Sequence, residues 1–119
     1  MLPAAARPVA FILTRDRAAL LPFYREVLGL SVSAEDDYGT VMDARGLELR
    51  LTTVGDHVPS PHPVLSWNVP DLRATVADLT AKGVTFLIYD GFGQEASGIW
   101  TAPDGRVKVA WFADPEGNV

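Results

Sequence analysis

The sequence predicts an α+β domain of two tandem βαβββ modules, forming a curved, cup-like mixed sheet with the helices outside. Three observations lead there. An apolar run ending in Asp, followed by apolar residues at helical spacing, occurs twice, at Val9 to Asp16 and at Val64 to Asp71. Short strand-like runs follow each helical pattern. Two turn segments, Asp43-Ala-Arg-Gly46 and Asp114-Pro-Glu-Gly117, carry the same Asp-to-Gly spacing.

In the first module, Leu20, Phe23, Tyr24, Val27 and Leu28 mark the helix, Asp16 is a good N-cap, and Gly29 is a good stop. Pro22 breaks the local rule, because a helix-interior proline removes a hydrogen bond at a cost of about 3 kcal/mol. Either the helix begins later or it kinks there. Leu30 to Ser33, Tyr38 to Met42 and Leu47 to Thr53 read as strands. Val54 to Pro63, with Pro59, Pro61 and Pro63, reads as the linker, so module one spans about 8–54, the linker about 55–63 and module two about 64–119. In the second module Leu72, Val76 and Leu79 recur at helical spacing and Gly83 ends the helix. Its strands are Val84 to Ile88, Ile99 to Ala102 and Val107 to Phe112, with Asp104-Gly105 as a tight turn between the last two. Asp90 to Gly98 reads as a mobile loop over the cup. Two sheets, each with a helix on one face, bury their remaining faces by curling around a shared cavity.

Composition removes several function classes. The 119 residues make one domain, and 48% hydrophobic with 21% charged residues is an ordinary globular balance. Ten basic against fifteen acidic residues leave a net charge of −5, which disfavours nucleic acid and anionic membrane as partners. Without cysteine there is no disulfide, zinc-thiolate site or cysteine nucleophile. Met1 to Pro8 does not read as a signal peptide, and no stretch approaches the roughly 18 apolar residues of a membrane helix. The expectation is a cytoplasmic protein, and eight arginines against two lysines suggest a GC-rich bacterial source. Gly-x-Ser-x-Gly, Ser-x-x-Lys and phosphate-loop patterns are absent, and Gly91-Phe-Gly93 lacks the third glycine of a dinucleotide fingerprint.

Asp16 with Phe23-Tyr-Arg-Glu-Val-Leu-Gly-Leu30, and the closing Trp111-Phe-Ala-Asp-Pro-Glu-Gly-Asn-Val119, resemble the vicinal-oxygen-chelate superfamily. That superfamily includes glyoxalase I, extradiol dioxygenases, fosfomycin-resistance proteins and bleomycin-binding proteins. The resemblance runs from about Val9 to Val119 and implies the cup-shaped fold. It also implies, for the enzymes, a divalent metal held seven residues before each helix-capping Asp and four residues after the Gly of each turn. Here these positions hold Val9, Val64 and Arg50, and the fourth lies beyond Val119. Valine and arginine do not ligate a cation. No metal and no other cofactor is therefore expected. His57 and His62 lie in or beside the proline-rich linker and read as solvated.

Strand alternation places Val9, Phe11 and Leu13, and likewise Val64, Ser66 and Asn68, on the concave faces. Trp67 falls on the core side. Arg50 either meets a carboxylate, phenolate or carbonyl of a guest or forms a rim salt bridge with an acidic neighbour. Glu35-Asp36-Asp37 reads as a solvated acidic turn or as charge at the pocket rim. Tyr38, Phe92, Trp100, Trp111 and Phe112 are more aromatic surface than so small a fold needs for packing. Candidate ligand-binding residues are Phe11, Tyr38, Arg50, Ser66, Asn68, Trp100 and Trp111. No catalytic set is identified.

The function expected is metal-independent sequestration of a small, largely apolar or aromatic molecule by a homodimer, as in the drug- and natural-product-resistance members. Two other readings stand beside it: a lyase, isomerase or dioxygenase of the same superfamily, and a structural or regulatory module whose cup is filled by side chains.

Overall fold

The structure is a computed structural model that describes residues 1–119. The chain divides into two compact units, Met1–Pro59 and Ser60–Val119, with the division among the prolines between the repeats.

The first unit is a four-stranded mixed sheet in the order β1-β4-β3-β2. Its strands are β1 (Val9–Thr14), β2 (Ser31–Glu35), β3 (Gly39–Asp43) and β4 (Glu48–Thr53). β1 lies parallel to β4, and the β3 pairings to β4 and to β2 are antiparallel. Register sorts the side chains by parity. Ile12 and Thr40 both pair with Leu51, and Met42 pairs with Leu49, so these residues share one face. All five are essentially inaccessible and pack with Leu20, Tyr24 and Leu30. Each large aliphatic side chain so buried contributes about 2–3 kcal/mol. β2 is the sheet edge, and a bulge between Val32 and Ala34 interrupts its register. Such an irregularity discourages edge-to-edge pairing.

The helix resolves the Pro22 question. α1 runs Arg17–Pro22, starting where the cap predicts, with the Asp16 side chain accepting the Ala19 N–H at 3.2 Å. Past Pro22 the backbone widens into a π-helical turn, Phe23–Val27, in which the Leu28 N–H reaches the Phe23 carbonyl. The missing proline donor is absorbed by rewinding, with no late start.

The second unit is less regular. α2 (Leu72–Ala81) is capped by Asp71, whose side chain accepts the Ala74 N–H at 3.0 Å. It ends in a Schellman motif: the Val84 N–H meets the Leu79 carbonyl, the Gly83 N–H meets the Thr80 carbonyl, and Gly83 has φ +93°. β5 (Trp100–Thr101) and β6 (Lys108–Val109) form an antiparallel pair, joined around Asp104-Gly105.

Four strand expectations are corrected here. Val64 to Asp71 forms no ladder. Pro63 and Pro70 bracket it without N–H donors, and its Val64 N–H goes to the Val119 carbonyl. Its alternation survives even so: Val64, Ser66 and Asn68 are exposed, whereas Leu65, Trp67 and Val69 are partly buried. Val84 to Ile88 shrinks to one bridge, Phe86 with Phe112, and the last two runs shrink to β5 and β6. Beside that bridge the Gln94 side chain takes backbone groups a ladder would use. It accepts the Tyr89 N–H at 2.7 Å and donates to the Leu87 and Gly98 carbonyls at 2.9 and 2.7 Å.

Gly98 is indispensable in this arrangement, because at φ +100° an added Cβ would lie 2.6 Å from the Phe86 Cβ. Gly98→Ala is expected to destabilise the protein by about 2–3 kcal/mol, measured by urea unfolding. An unchanged midpoint would show that Phe86 does not lie against Gly98 in solution.

Candidate functional site

Each unit presents its own cluster of candidate side chains. In the first, the sheet face opposite the buried Ile12–Leu51–Met42 face carries Phe11 and Val41 as the two register partners of Arg50, with Leu13 and Gly39 as those of Thr52. Phe11 is 56% exposed and Val9 42% exposed, so this face is apolar and open.

Arg50 takes the salt-bridge alternative. Its Nη2 donates to Asp36 Oδ2 at 2.6 Å, a short charge-assisted bond. The other oxygen of Asp36 accepts the Tyr38 and Gly39 N–H groups at 2.8 Å each, closing the turn between β2 and β3. Gly39 leaves room for the guanidinium, since a Cβ there would lie 3.0 Å from Arg50 Cζ and Nε. From the helix side, Arg17 donates to the Asp36 carbonyl at 3.2 Å and to the Asp37 carbonyl at 3.3 Å. The acidic turn is therefore held by two arginines, one on each side. Glu35 belongs to it as well, accepting the Thr40 hydroxyl at 3.0 Å. The Arg50 hydrogen bond, with the two backbone donors, lowers the Asp36 carboxyl from 3.8 to about 2.

In the second unit four aromatic rings form one connected cluster with Trp111 at its centre. Trp111 meets Tyr89 edge-on at 5.5 Å, Phe92 at 6.0 Å and Trp100 at 6.5 Å, and Tyr89 lies 5.5 Å from Phe92. Phe92 is half exposed, and the other three are partly buried. The segment Asp90 to Gly98, read as a mobile loop, carries Phe92 and follows directly on Tyr89. It is instead tied down by the three Gln94 bonds and by a bidentate Arg73–Glu95 pair at 3.0 and 2.9 Å. Arg73 holds the Glu95 carboxyl below its ordinary value. A groove of about 700 Å³ between α2 and this segment has Val76, Val84 and Ile99 in its wall. Its charged residue, Arg73, is committed to Glu95, and its other polar side chains are the hydroxyls of Thr80, Thr85 and Ser97.

Of the seven expected ligand-binding residues, Phe11 and Arg50 stand side by side on the first unit's open face, and Tyr38 is 74% exposed at the adjoining turn. Trp100 and Trp111 meet in the aromatic cluster, and Ser66 and Asn68 are exposed on the extended 64–69 segment. Sequence reading missed Tyr89, although Tyr89-Asp-Gly-Phe92 is a turn sequence that brings two rings together. Phe92 was counted among the aromatic supply but not among the site residues. Thr52 was missed too: its hydroxyl is buried without a hydrogen-bond partner, two residues along β4 from Arg50.

The residues present do not fit a divalent cation. Val9 and Val64 have no donor atoms, Arg50 carries a positive charge bound to Asp36, and no three His, Asp or Glu side chains gather as a ligand set.

A family model described as the Glyoxalase/Bleomycin resistance protein/Dioxygenase superfamily matches residues 7–119. Solved structures share the fold at low identity. UcmS2 is 23% identical with a TM-score of 0.71, over 98% of this chain and 95% of that one. A superfamily member from Sphaerobacter thermophilus is 22% identical with a TM-score of 0.70, over 96% and 92%. Lactoylglutathione lyase from Agrobacterium tumefaciens is 15% identical with a TM-score of 0.67, over 98% and 91%. No curated protein matches the sequence. No helix is long and apolar enough to cross a membrane.

The Asp36 shift has a sign that can be measured. A carboxyl depressed in the folded state contributes stability in full above its ordinary value of 3.8, and this is lost as pH falls toward about 2. Asp36→Asn is expected to remove that part of the acid sensitivity, seen as a flatter urea midpoint between those two pH values. An unaltered pH profile would mean the Asp36–Arg50 pair does not persist in solution.

Proposed function

The chain belongs to the glyoxalase/bleomycin resistance protein/dioxygenase superfamily, and on that premise we propose that it is one of its binding proteins, sequestering a flat, largely apolar or aromatic compound without a metal. The observation that carries this reading is the connected Trp111–Trp100–Tyr89–Phe92 surface, partly exposed and held in place by Gln94 and the Arg73–Glu95 pair. Flat rings stacked or set edge-on against such a surface gain both burial and quadrupole attraction. The donor chemistry at Val9, Val64 and Arg50 supports a metal-independent role, and no nucleophile–base pair argues for catalysis. The binding protein is read as a cytoplasmic homodimer of the drug- or natural-product-resistance type, with no nucleic-acid or membrane partner. The net charge of −5 agrees with the last point.

Two measurements test it. Elemental analysis of chelator-free protein, followed by titration with Zn²⁺, Ni²⁺, Mn²⁺ and Fe²⁺, is expected to find no stoichiometric metal and no rise in Tm. A stoichiometric metal would overturn the metal-independent reading. Polycyclic aromatic compounds are expected to quench the tryptophan fluorescence saturably. Phe92→Ala, at a half-exposed position, should weaken that binding about tenfold while leaving Tm within a few degrees. Absence of saturable quenching across a panel of such compounds would remove the binding reading itself.

A further inference from the structure

On the first unit's open face, Arg50 spends one of its five N–H donors on Asp36 and keeps a 23% exposed side chain beside the exposed Phe11. The Thr52 hydroxyl, buried and unpartnered, lies two residues away on the same strand face. An exposed guanidinium donor thus stands next to an apolar ring, with the unsatisfied Thr52 hydroxyl closed off from solvent on the same strand face. The charge of Arg50 is nevertheless offset at 2.6 Å by a carboxylate whose turn is tied down on both sides. Its second oxygen is taken by Tyr38 and Gly39, and Arg17 grips the carbonyls of the same turn from the other side.

We infer that Arg50 and Phe11 form a charge-neutral donor subsite for the carbonyl end of an uncharged aryl compound, such as an aryl ketone, quinone or amide, and that Asp36 makes it reject the corresponding carboxylate. This rests on the reading of the chain as a binding protein for small aromatic compounds, and names the polar chemistry of a guest held at the first unit's own face. A carbonyl oxygen reaching the remaining guanidinium N–H groups gains a charge-assisted hydrogen bond and gives up little hydration. A carboxylate at the same place meets the fixed charge of Asp36 as well as that of Arg50. The attraction is then largely cancelled, while the cost of dehydrating an ion remains. Asp36 stays ionised throughout the working pH range, so the bias does not relax near neutrality. The overall charge of −5 acts in the same direction.

The test compares an acetonaphthone with the naphthoate of the same substitution, by equilibrium dialysis against the full chain. Wild type is expected to bind the ketone more tightly. Asp36→Asn keeps one oxygen to accept the Tyr38 and Gly39 N–H groups, and replaces the carboxylate oxygen facing Arg50 by an amide NH2, so the charge and the Arg50 hydrogen bond are removed together. It should shift the ketone-to-carboxylate affinity ratio toward the carboxylate by about tenfold, the scale of one unscreened charge near a protein surface. Asp36→Ser, whose hydroxyl can also cap the turn, should do the same should the amide disturb folding. Arg50→Gln should weaken the ketone and, by leaving the Asp36 charge without its counter-ion, sharpen the discrimination against the carboxylate. If both probes bind and the ratio moves less than about twofold in either Asp36 variant, the charge rule falls and the binding reading stands. If neither probe binds wild type or variant, the binding reading falls at this face and the rule goes with it.

Discussion

What the first unit offers to a ligand follows from the parallel pairing of β1 with β4. That register sets Ile12 beside Leu51 and Phe11 beside Arg50. Because side chains alternate across a sheet, the same pairing that buries one row must display the other. Sliding β1 by a single residue would bring Phe11 into the core and put Ile12 on the open face. The helix face enforces the register: Ile12, Met42, Leu49 and Leu51 are almost wholly buried together with Leu20 and Tyr24. Stability and the composition of the open face are therefore two consequences of one hydrogen-bonded ladder.

The open face is then tuned from its edge. The turn between β2 and β3 brings a carboxylate to Arg50, and Gly39 provides the space in which the guanidinium lies against the sheet. Arg17 fixes the same turn from the helix side through backbone carbonyls, so the turn is a joint between helix, hairpin and sheet face. An ion pair so exposed adds little to stability. Its consequence lies in the electrostatics of the face: a hydrogen-bond donor remains where the net charge has been removed.

The second unit reaches order by a different route. Regular ladders are short there, and the backbone is satisfied by one side chain, Gln94, which serves Leu87, Tyr89 and Gly98 together. This holds Tyr89 and Phe92 against Trp111, and Trp111 against Trp100. Binding surfaces on loops need such a scaffold, since an unanchored aromatic would lose rotamer freedom on meeting a guest. Partly buried rings held by neighbours have already lost most of it.

The sequence by itself determined the elements whose causes are local. Asp16 and Asp71 cap their helices because a short side-chain acceptor satisfies a free N–H two or three residues on, and Gly83 ends α2 because its left-handed φ suits glycine. The Asp43–Gly46 and Asp114–Gly117 turns formed for the same reason, each aspartate accepting the N–H of its glycine. Parity was legible even at Val64 to Val69, where exposure alternates although no ladder forms. The strand lengths of the second unit and the pairing of Arg50 with Asp36 were decided by tertiary structure. Each depends on groups that compete for the same backbone or charge from distant positions: Gln94 against a neighbouring strand, Asp36 against a guest. Alternation says which way a side chain points, and local spacing says which N–H a cap can reach. Neither says which of several partners arrives first, because that is settled by packing that brings residues fourteen positions apart to within 2.6 Å.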